Sequence, residues 1–544
     1  MKPMADTVLI NGVVYTVDPD IPHASAIAIT GERILAVGSD EEIKAFRGPS
    51  TAVIDLNGSV VTPGLIEGHG HFMGLGYLAL DLDLSHCGSY AELIDTVRAT
   101  AFLLPAGTWI AGRGWHQDKW GSIDGQIVDG FPTHRLLSQD VPDHPVFLRH
   151  ASGHAALANA KAMEIAGVGY GASSENGGSV ILDSHGMPTG IFNEQAADMI
   201  SRHMPPNDEQ RDQLAIEKAI DACLRHGITG FHDAGQSQRY IDLYKKNIES
   251  GKMQVRLYVM LDGSDEVLLE NWFARGPESG DFLSVRSVKM FADGALGTRG
   301  ALLLEAYSDM PGFYGHRAHD PNLMEDVALR SLLAGFQVCV HAIGDRANRE
   351  VLDLYERLFR RHPEASGDAR FRIEHAQHLH PDDISRFGKL SVVAAVQPIH
   401  FSSDRPWAIE RLGPERIAQG SYAWRSLLET GARIVGGTDV PVEALSPMNC
   451  FYAAVTRKTL NGFPEGGYEP QEALTRHQAL ESYTLGAAYG SFSEHLTGSI
   501  TPGKLADLVV FDRDFMQCPE NEIRQTEVLL TFVGGKLVYE AARP

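Results

Sequence analysis

The sequence predicts an α/β protein: a TIM-like (β/α)8 barrel, a composite β-sandwich domain from both termini, and a large insertion after the first barrel strand. Three observations predict it. Eight short apolar runs alternate with helical stretches through the middle of the chain, which is the pattern of a parallel α/β architecture, and eight strands close such a barrel. The two ends share a strand-and-turn texture that the middle lacks. One connection, residues 72–226, is far too long for an ordinary loop.

The elements follow in order. Near the start, TVLINGVVYTV, AIAITGERILAVG and STAVIDLNGSVVTPG are β-branched runs broken by NG, TG and NG, each a strand followed by a tight-turn signal. Near the end, GSITPGKLADLVVFDRD and EVLLTFVGGKLVYE repeat that texture. Neither block alone has enough strands for an independent core. One joint domain, residues 1–59 with 496–544, is therefore expected rather than two unrelated small sheets. The candidate barrel strands are VVTPGLIEGHGH (60–71), GITGFHDAG (227–235), QVRLYVML (254–261), SVRSVKMFADG (284–294), FQVCVHAIGD (336–345), ARFRIEHAQH (369–378), LSVVAAVQP (390–398) and ARIVGGTDVP (432–441). The first strand is assigned to residues 60–75 and the rest of the barrel to 227–495. Residues 76–226, with segments such as GRGWHQDKW and SENGGSVILDSHGMPTG, read as a lobe inserted over one end of the barrel.

Bulk properties narrow the function classes. The formal net charge is −23, from 47 basic and 70 acidic side chains. A general nucleic-acid or anionic-membrane binder needs a basic face, so both are excluded as partners. Cys87, Cys223, Cys339, Cys450 and Cys518 are odd in number and form no CxxC pair; they read as buried thiols in a reducing compartment. The N-terminal residues look like a strand, not a signal peptide. No apolar run approaches the roughly 18–20 residues that span a bilayer. A cytoplasmic protein acting on a small molecule is expected, with a homodimer as the base-rate oligomer.

The chemistry lies at strand ends. In His69-Gly70-His71 the two imidazoles stand at i and i+2 of a strand, so both point to one side. That delivers two nitrogens to one point, as a shared metal ion requires. HxH alone is weak among 23 histidines, but this pair ends an apolar strand, where barrel active sites lie. His341 after QVCV, His375 after FRIE and Asp439 after RIVGG repeat the placement. Any one of them has a bland reading as a hydrogen-bonded core residue. Four histidines and an aspartate at the carboxyl ends of different strands converge on one mouth, and neutral imidazole with carboxylate suits Zn²⁺. Lys289, in SVKMFADGALGTR, lies inside a strand. Near a dication its ammonium is disfavoured, and the neutral amine can add carbon dioxide to give a carbamate that ligates or bridges metal.

The order HxH, Lys, His, His, Asp resembles the amidohydrolase superfamily, and PGLIEGHGHF looks like its first-strand signature. VKMFADGALGTR, VHAIGDRA, IEHAQH and GGTDVP resemble one branch, the YtcJ-like family (amidohydrolase family 3) that includes N-substituted formamide deformylases. The resemblance covers nearly the whole chain, including the terminal strands and the insertion. It implies His69, His71, His341 and His375 as ligands, Lys289 as a carboxylated bridge, and Asp439 as both ligand and base. Gly300 departs from the branch, where relatives commonly carry Thr or another polar residue.

The reaction implied is hydrolysis of an amide-type C–N bond by water activated on one or two divalent ions, Zn²⁺ with Mn²⁺ or Fe²⁺ as competitors. An N-substituted formamide is the first substrate class; N-acyl amino acids and cyclic amides are the alternative. A non-catalytic regulator retaining the fold is the rival of another class. Arg299 and His154 are candidate substrate contacts, and so is Trp115. With His116 and Trp120, Trp115 reads equally as a small lobe core or an apolar pocket wall. His232 either faces the pocket or orients a ligand. Asp345 reads as a helix N-cap, and Asp293 has the same bland reading. His378 and His380 read as structural.

Overall fold

The computed structural model describes residues 3–121, 125–174 and 178–542. Residues 175–177, within the SENGGSVILDSHGMPTG segment, lie outside the described residues. The chain forms two compact units. One comprises Met1–Phe72, Ile220–Val440 and Ala444–Pro544; the other comprises Met73–Ala219 with Pro441–Glu443.

The first unit is built around an eight-stranded parallel sheet. Its strands are β1 (Leu65–Gly70), β2 (Ile228–Gln236), β3 (Arg256–Asp262), β4 (Leu283–Phe291), β5 (Gln337–Ala342), β6 (Arg372–His375), β7 (Val393–Val396) and β8 (Ile434–Gly436). They hydrogen-bond in sequence order from β1 to β8, and each matches one of the eight runs in the sequence. Helices such as Asp345–Arg361 and Pro381–Leu390 follow the strands. The strands are buried nearly throughout, as in a parallel sheet covered on both faces. β8 returns to β1 just beyond its end: Asp439 N–H donates to His69 O at 2.8 Å and His71 N–H to Val440 O at 2.7 Å. Below that point Thr438 holds the Glu67 carboxylate through its N–H at 2.6 Å and its hydroxyl at 2.9 Å. Glycine is required on both sides of this seam. A Cβ on Gly68 would sit 2.4 Å from Gly436 O, and one on Gly437 would sit 2.6 Å from His69 N.

The expected first strand is in fact two. Val60–Pro63 belongs to a six-stranded sheet with Lys536–Glu540, Val528–Val533, Leu508–Phe511, Val13–Tyr15 and His23–Ala24. The break falls at Gly64, where a Cβ would meet Thr229 Oγ1 at 2.1 Å, so the backbone changes partners at a glycine. Val60–Pro63 pairs antiparallel with Leu508–Phe511, which joins the N-terminal and C-terminal segments in one sheet. A second sheet, Arg33–Gly38, Ala26–Thr30, Thr7–Ile10 and Ala52–Asp55, shares its core: Leu9, Ile27 and Ile34 pack with Val61, Leu508 and Phe532.

The second unit has a six-stranded mixed sheet in the order Ser179–Leu182, Pro188–Asn193, Ala155–Ala158, Val146–His150, Ile110–Trp115, Leu82–Asp83. Helix Tyr90–Leu103 buries Tyr90, Leu93, Ile94 and Val97 in this unit's core. No helix among the described residues is long and apolar enough to cross a membrane.

Candidate metal centre

Side chains of six sequence-singled residues meet at the carboxyl ends of the barrel strands. His69 Nε2 lies 3.7 Å from Asp439 Oδ1, and His71 Nε2 lies 3.3 Å from the same oxygen. Lys289 Nζ is 3.3 Å from His69 Nε2. The rings of His69 and His375 are 5.2 Å apart, and those of His341 and His375 are 4.5 Å apart. One ligand atom each from His69, His375 and Asp439 falls within 4.8 Å of the others, the spacing of donors around a single ion. The strand pairing explains the gathering. Phe291 of β4 stands opposite His341, and Ala342 opposite His375, so the carboxyl ends of β4, β5 and β6 lie within one residue of a common level.

Two of these residues are held in an uncommon backbone conformation. His375 has φ 77° and Asp439 has φ 60°, the left-handed region that non-glycine residues rarely enter. Such strain costs about 1–3 kcal/mol per residue and persists where the surroundings enforce it. His375 is the last residue of β6, and Asp439 stands three residues past β8, so in both places the chain turns sharply as it leaves the strand.

Each donor is oriented from behind. His69 Nδ1 bonds Glu374 Oε2 at 2.5 Å. Glu374 in turn receives Arg372 Nε at 2.7 Å and Nη2 at 2.8 Å. His375 Nδ1 bonds Gln397 Oε1 at 2.7 Å, and His71 Nδ1 bonds Ala234 O at 3.2 Å. In each case the second nitrogen, Nε2, is left for the centre, the usual arrangement behind metal-ligating histidines.

The electrostatics suit metal binding. Burial, aided by the Lys289 charge, pushes the His69 imidazole down to about 4. Burial likewise holds His375 well below its ordinary value. Both rings are therefore neutral, with lone pairs free to ligate. Burial would raise the Asp439 carboxyl, but the hydrogen bond from His71 and the nearby His69 and His375 outweigh it and hold it well below the usual range. Burial also lowers Lys289, which favours its neutral amine. Burial opposes the charge on Glu374, yet Arg372 and His69 hold the group ionised.

Sequence reasoning missed several members. Glu374 and Arg372 are fully buried inside β6. Their signal was the alternation Arg-Ile-Glu, two opposite charges on one side of an apolar strand. His400, in the first turn of helix Pro398–Gly420, places Nε2 3.8 Å from Asp439 Oδ2. Among the described residues that buried nitrogen has no hydrogen-bond partner. A nitrogen donor aimed at a cluster of donors and unmet by protein fits a site meant for an ion or substrate. Its signal was position, since VQPIH follows β7 as the candidate ligands follow their strands.

Other residues are engaged elsewhere. Trp115 is fully buried in the core of the second unit, beside Trp120 and Phe131, and its Nε1–H donates to Leu148 O at 3.0 Å. It is a core residue, so the lobe-core alternative holds. His154 pairs with Glu194 at 3.0 Å. Arg299 pairs with Asp309 at 2.8 Å. His232 is buried in the barrel against Gly68 O and Arg372, behind the candidate ligands. Asp345 is not an N-cap: Gly344 holds that position. Asp345 instead accepts from Leu304 N at 2.9 Å, and Asp293 accepts from Leu302, Ile343 and Gly344. Both therefore pin the loop after β4. That loop turns at Gly300, where a Cβ would meet Gly294 Cα at 3.1 Å.

Comparison with known proteins identifies the family. The model of the amidohydrolase family matches residues 52–539. The chain is 31% identical to the putative amidohydrolase YtcJ of Bacillus subtilis, over 97% of this chain and 98% of that protein. It is 30% identical to the N-substituted formamide deformylase of Arthrobacter pascens, over 99% of both. It is 33% identical to the protein LONG AFTER FAR-RED 3 of Arabidopsis thaliana, over 98% of this chain and 92% of that one. An uncharacterized metal-dependent hydrolase from Pyrococcus horikoshii superposes with a TM-score of 0.76 at 27% identity, covering 94% of this chain and 99% of its own.

Proposed function

The chain belongs to the amidohydrolase family, and from that premise we propose that it hydrolyses an amide-type carbon–nitrogen bond at a divalent-metal centre. His69, His71, His341, His375 and Asp439 would hold the ion, with Lys289 as a sixth ligand. The observation that supports this reading most is the convergence of His69, His375 and Asp439 within 4.8 Å. The donor chemistry fits Zn²⁺, with Mn²⁺ and Fe²⁺ as competitors.

A bound ion would polarise the scissile carbonyl and lower the pKa of water toward about 7. The protein's own groups do the rest. Asp439, ionised and within reach of the mouth, takes the proton of the attacking water and passes it to the leaving nitrogen. His400, beside Asp439, offers a hydrogen bond to the oxygen that gains negative charge. The Arg372–Glu374 pair fixes the His69 ring. Lys289, with its ammonium disfavoured by burial, is suited to carbamate formation, which would make room for a second ion.

The similarity to a formamide deformylase across 99% of both chains supports an N-substituted formamide as substrate. N-acyl amino acids and cyclic amides are the other classes to test. The protein, reconstituted with Zn²⁺ or Mn²⁺, is screened against all three panels. Release of formate from N-benzylformamide is the expected result; turnover confined to another panel would overturn the substrate class. Asp439→Asn should cut turnover by about 10²–10⁴-fold while leaving the circular dichroism spectrum and most of the metal in place. Near-normal turnover would remove Asp439 from its role. A purified chain that takes up no metal and turns over nothing would restore the reading as a regulator.

A further inference from the structure

At the opposite end of the barrel from the ligands lies a cavity of about 380 Å³. Its walls are the amino-terminal halves of β1 to β4, through residues such as Ile66, Phe231, Tyr258 and Arg286, and its floor is the 491–497 segment. That volume is in the range of small-molecule sites. The lining mixes aromatic and aliphatic surface with a few polar groups.

Two of those polar groups are unmet. The Arg286 guanidinium stacks on the Phe492 ring, 3.8 Å from its centroid. Among the described residues it has no carboxylate partner, and its Nε is buried without a hydrogen bond. The other arginine of the cavity differs: Arg256 is paired with Asp507 through Nε at 2.7 Å and Nη2 at 2.9 Å. Asp281 and His495 stand at the exposed rim. His232 is the second unmet group. It is 1% exposed, and its Nε2 has no partner among the described residues. Arg372 Nη1 lies 2.9 Å from His232 Nδ1. A guanidinium can only donate, so Nδ1 accepts and the ring proton sits on Nε2. Gly68 O, 3.1 Å from Nδ1, is served by Arg372 Nη2 at 2.8 Å. The cavity therefore holds one unpaired cation, and its wall contains one buried N–H donor without a partner among the described residues. Buried polar groups are rarely left so. Phe492, which shelves the guanidinium, is itself held at φ 60°, where a bulky residue is an outlier.

We propose that this cavity binds a small organic carboxylate, with its charged end on Arg286 and its apolar body between Phe492 and the strand residues. A single negative charge matches the single unpaired guanidinium; Arg256 and Asp507 already neutralise each other. The guanidinium fork suits the two oxygens of a carboxylate.

The test is calorimetric titration of the full chain with 4-bromobenzoate, together with a crystal soaked in it. The expected result is saturable binding, a bromine anomalous peak inside the cavity, and at least about tenfold weaker binding in Arg286→Gln. That variant should melt within a few degrees of the parent. If it does not fold, Arg286→Lys replaces it, with binding weakened but present. A bromine peak only at the strand carboxyl ends, undiminished binding in either variant, or tighter binding of inorganic phosphate at Arg286 would each overturn the proposal. None of these outcomes depends on turnover, so the site stands or falls apart from the hydrolytic reading.

Discussion

His378 has both imidazole nitrogens engaged. Gln377 donates its amide to Nε2 at 3.2 Å, and Nδ1 donates to Ser421 Oγ at 2.9 Å. Burial holds the group down at about 3, so the native ring is neutral while the unfolded ring takes a proton below about 6.5. Between those values the unfolded state binds more protons, and stability falls as pH falls. One such group contributes a slope of up to about 1.4 kcal/mol per pH unit. Urea unfolding at pH 7 and pH 5 should show a shallower acid loss for His378→Gln than for the parent; an equal loss would mean that another group carries it. Glu374 acts on the centre itself. Glu374→Gln would leave Arg372 with an uncompensated charge and His69 without its orienting anion. Metal affinity should drop about 10–100-fold, measured by competition with a chelator. These two positions also mark what residue-level reading reaches. The histidines were legible because each closes a strand-like run at the carboxyl end, where barrel sites lie. Glu374 was not, because its partner His69 lies 305 residues away, and a charge within a strand looks like an edge residue until its partner is known.

Elements were legible wherever periodicity was strong. Each barrel strand is a buried run bounded by turn residues, which is why all eight could be counted. The division of the first run at Pro63–Gly64 was not legible, since both halves are equally apolar and only their pairing separates them. The β1–β8 seam is the element most exposed to mutation. Gly68→Ala would drive a methyl against the Gly436 carbonyl, 2.4 Å from the ideal Cβ. Backbone cannot yield as a side chain does, so the seam must widen. A loss of about 1–3 kcal/mol is expected in urea unfolding, with metal content falling in parallel because Asp439 moves away from His69. Retained metal with lowered stability would show that the seam and the centre are separable.

At the scale of the molecule, the two terminal segments and the barrel are one structure, because Val60–Pro63 leads directly into β1 and is held by Leu508–Phe511. A chain ending at residue 505 would bare that strand's edge and the apolar face formed by Val61 and Leu9. Such an edge invites pairing with other chains. Sedimentation should find the truncated protein aggregated, while the parent stays dispersed. The seam has one more consequence, and it concerns time. Glu67 and Thr438 are separated by 371 residues, so a ribosome adding about 5–20 residues per second makes His69 and His71 roughly 20–75 seconds before Asp439 exists. Through that interval the nascent chain exposes a histidine pair with no carboxylate to complete it. On the proposed ligand set, a complete coordination shell would be a late product of synthesis, and the order in which its members emerge would determine when a free ion can first be captured with full affinity.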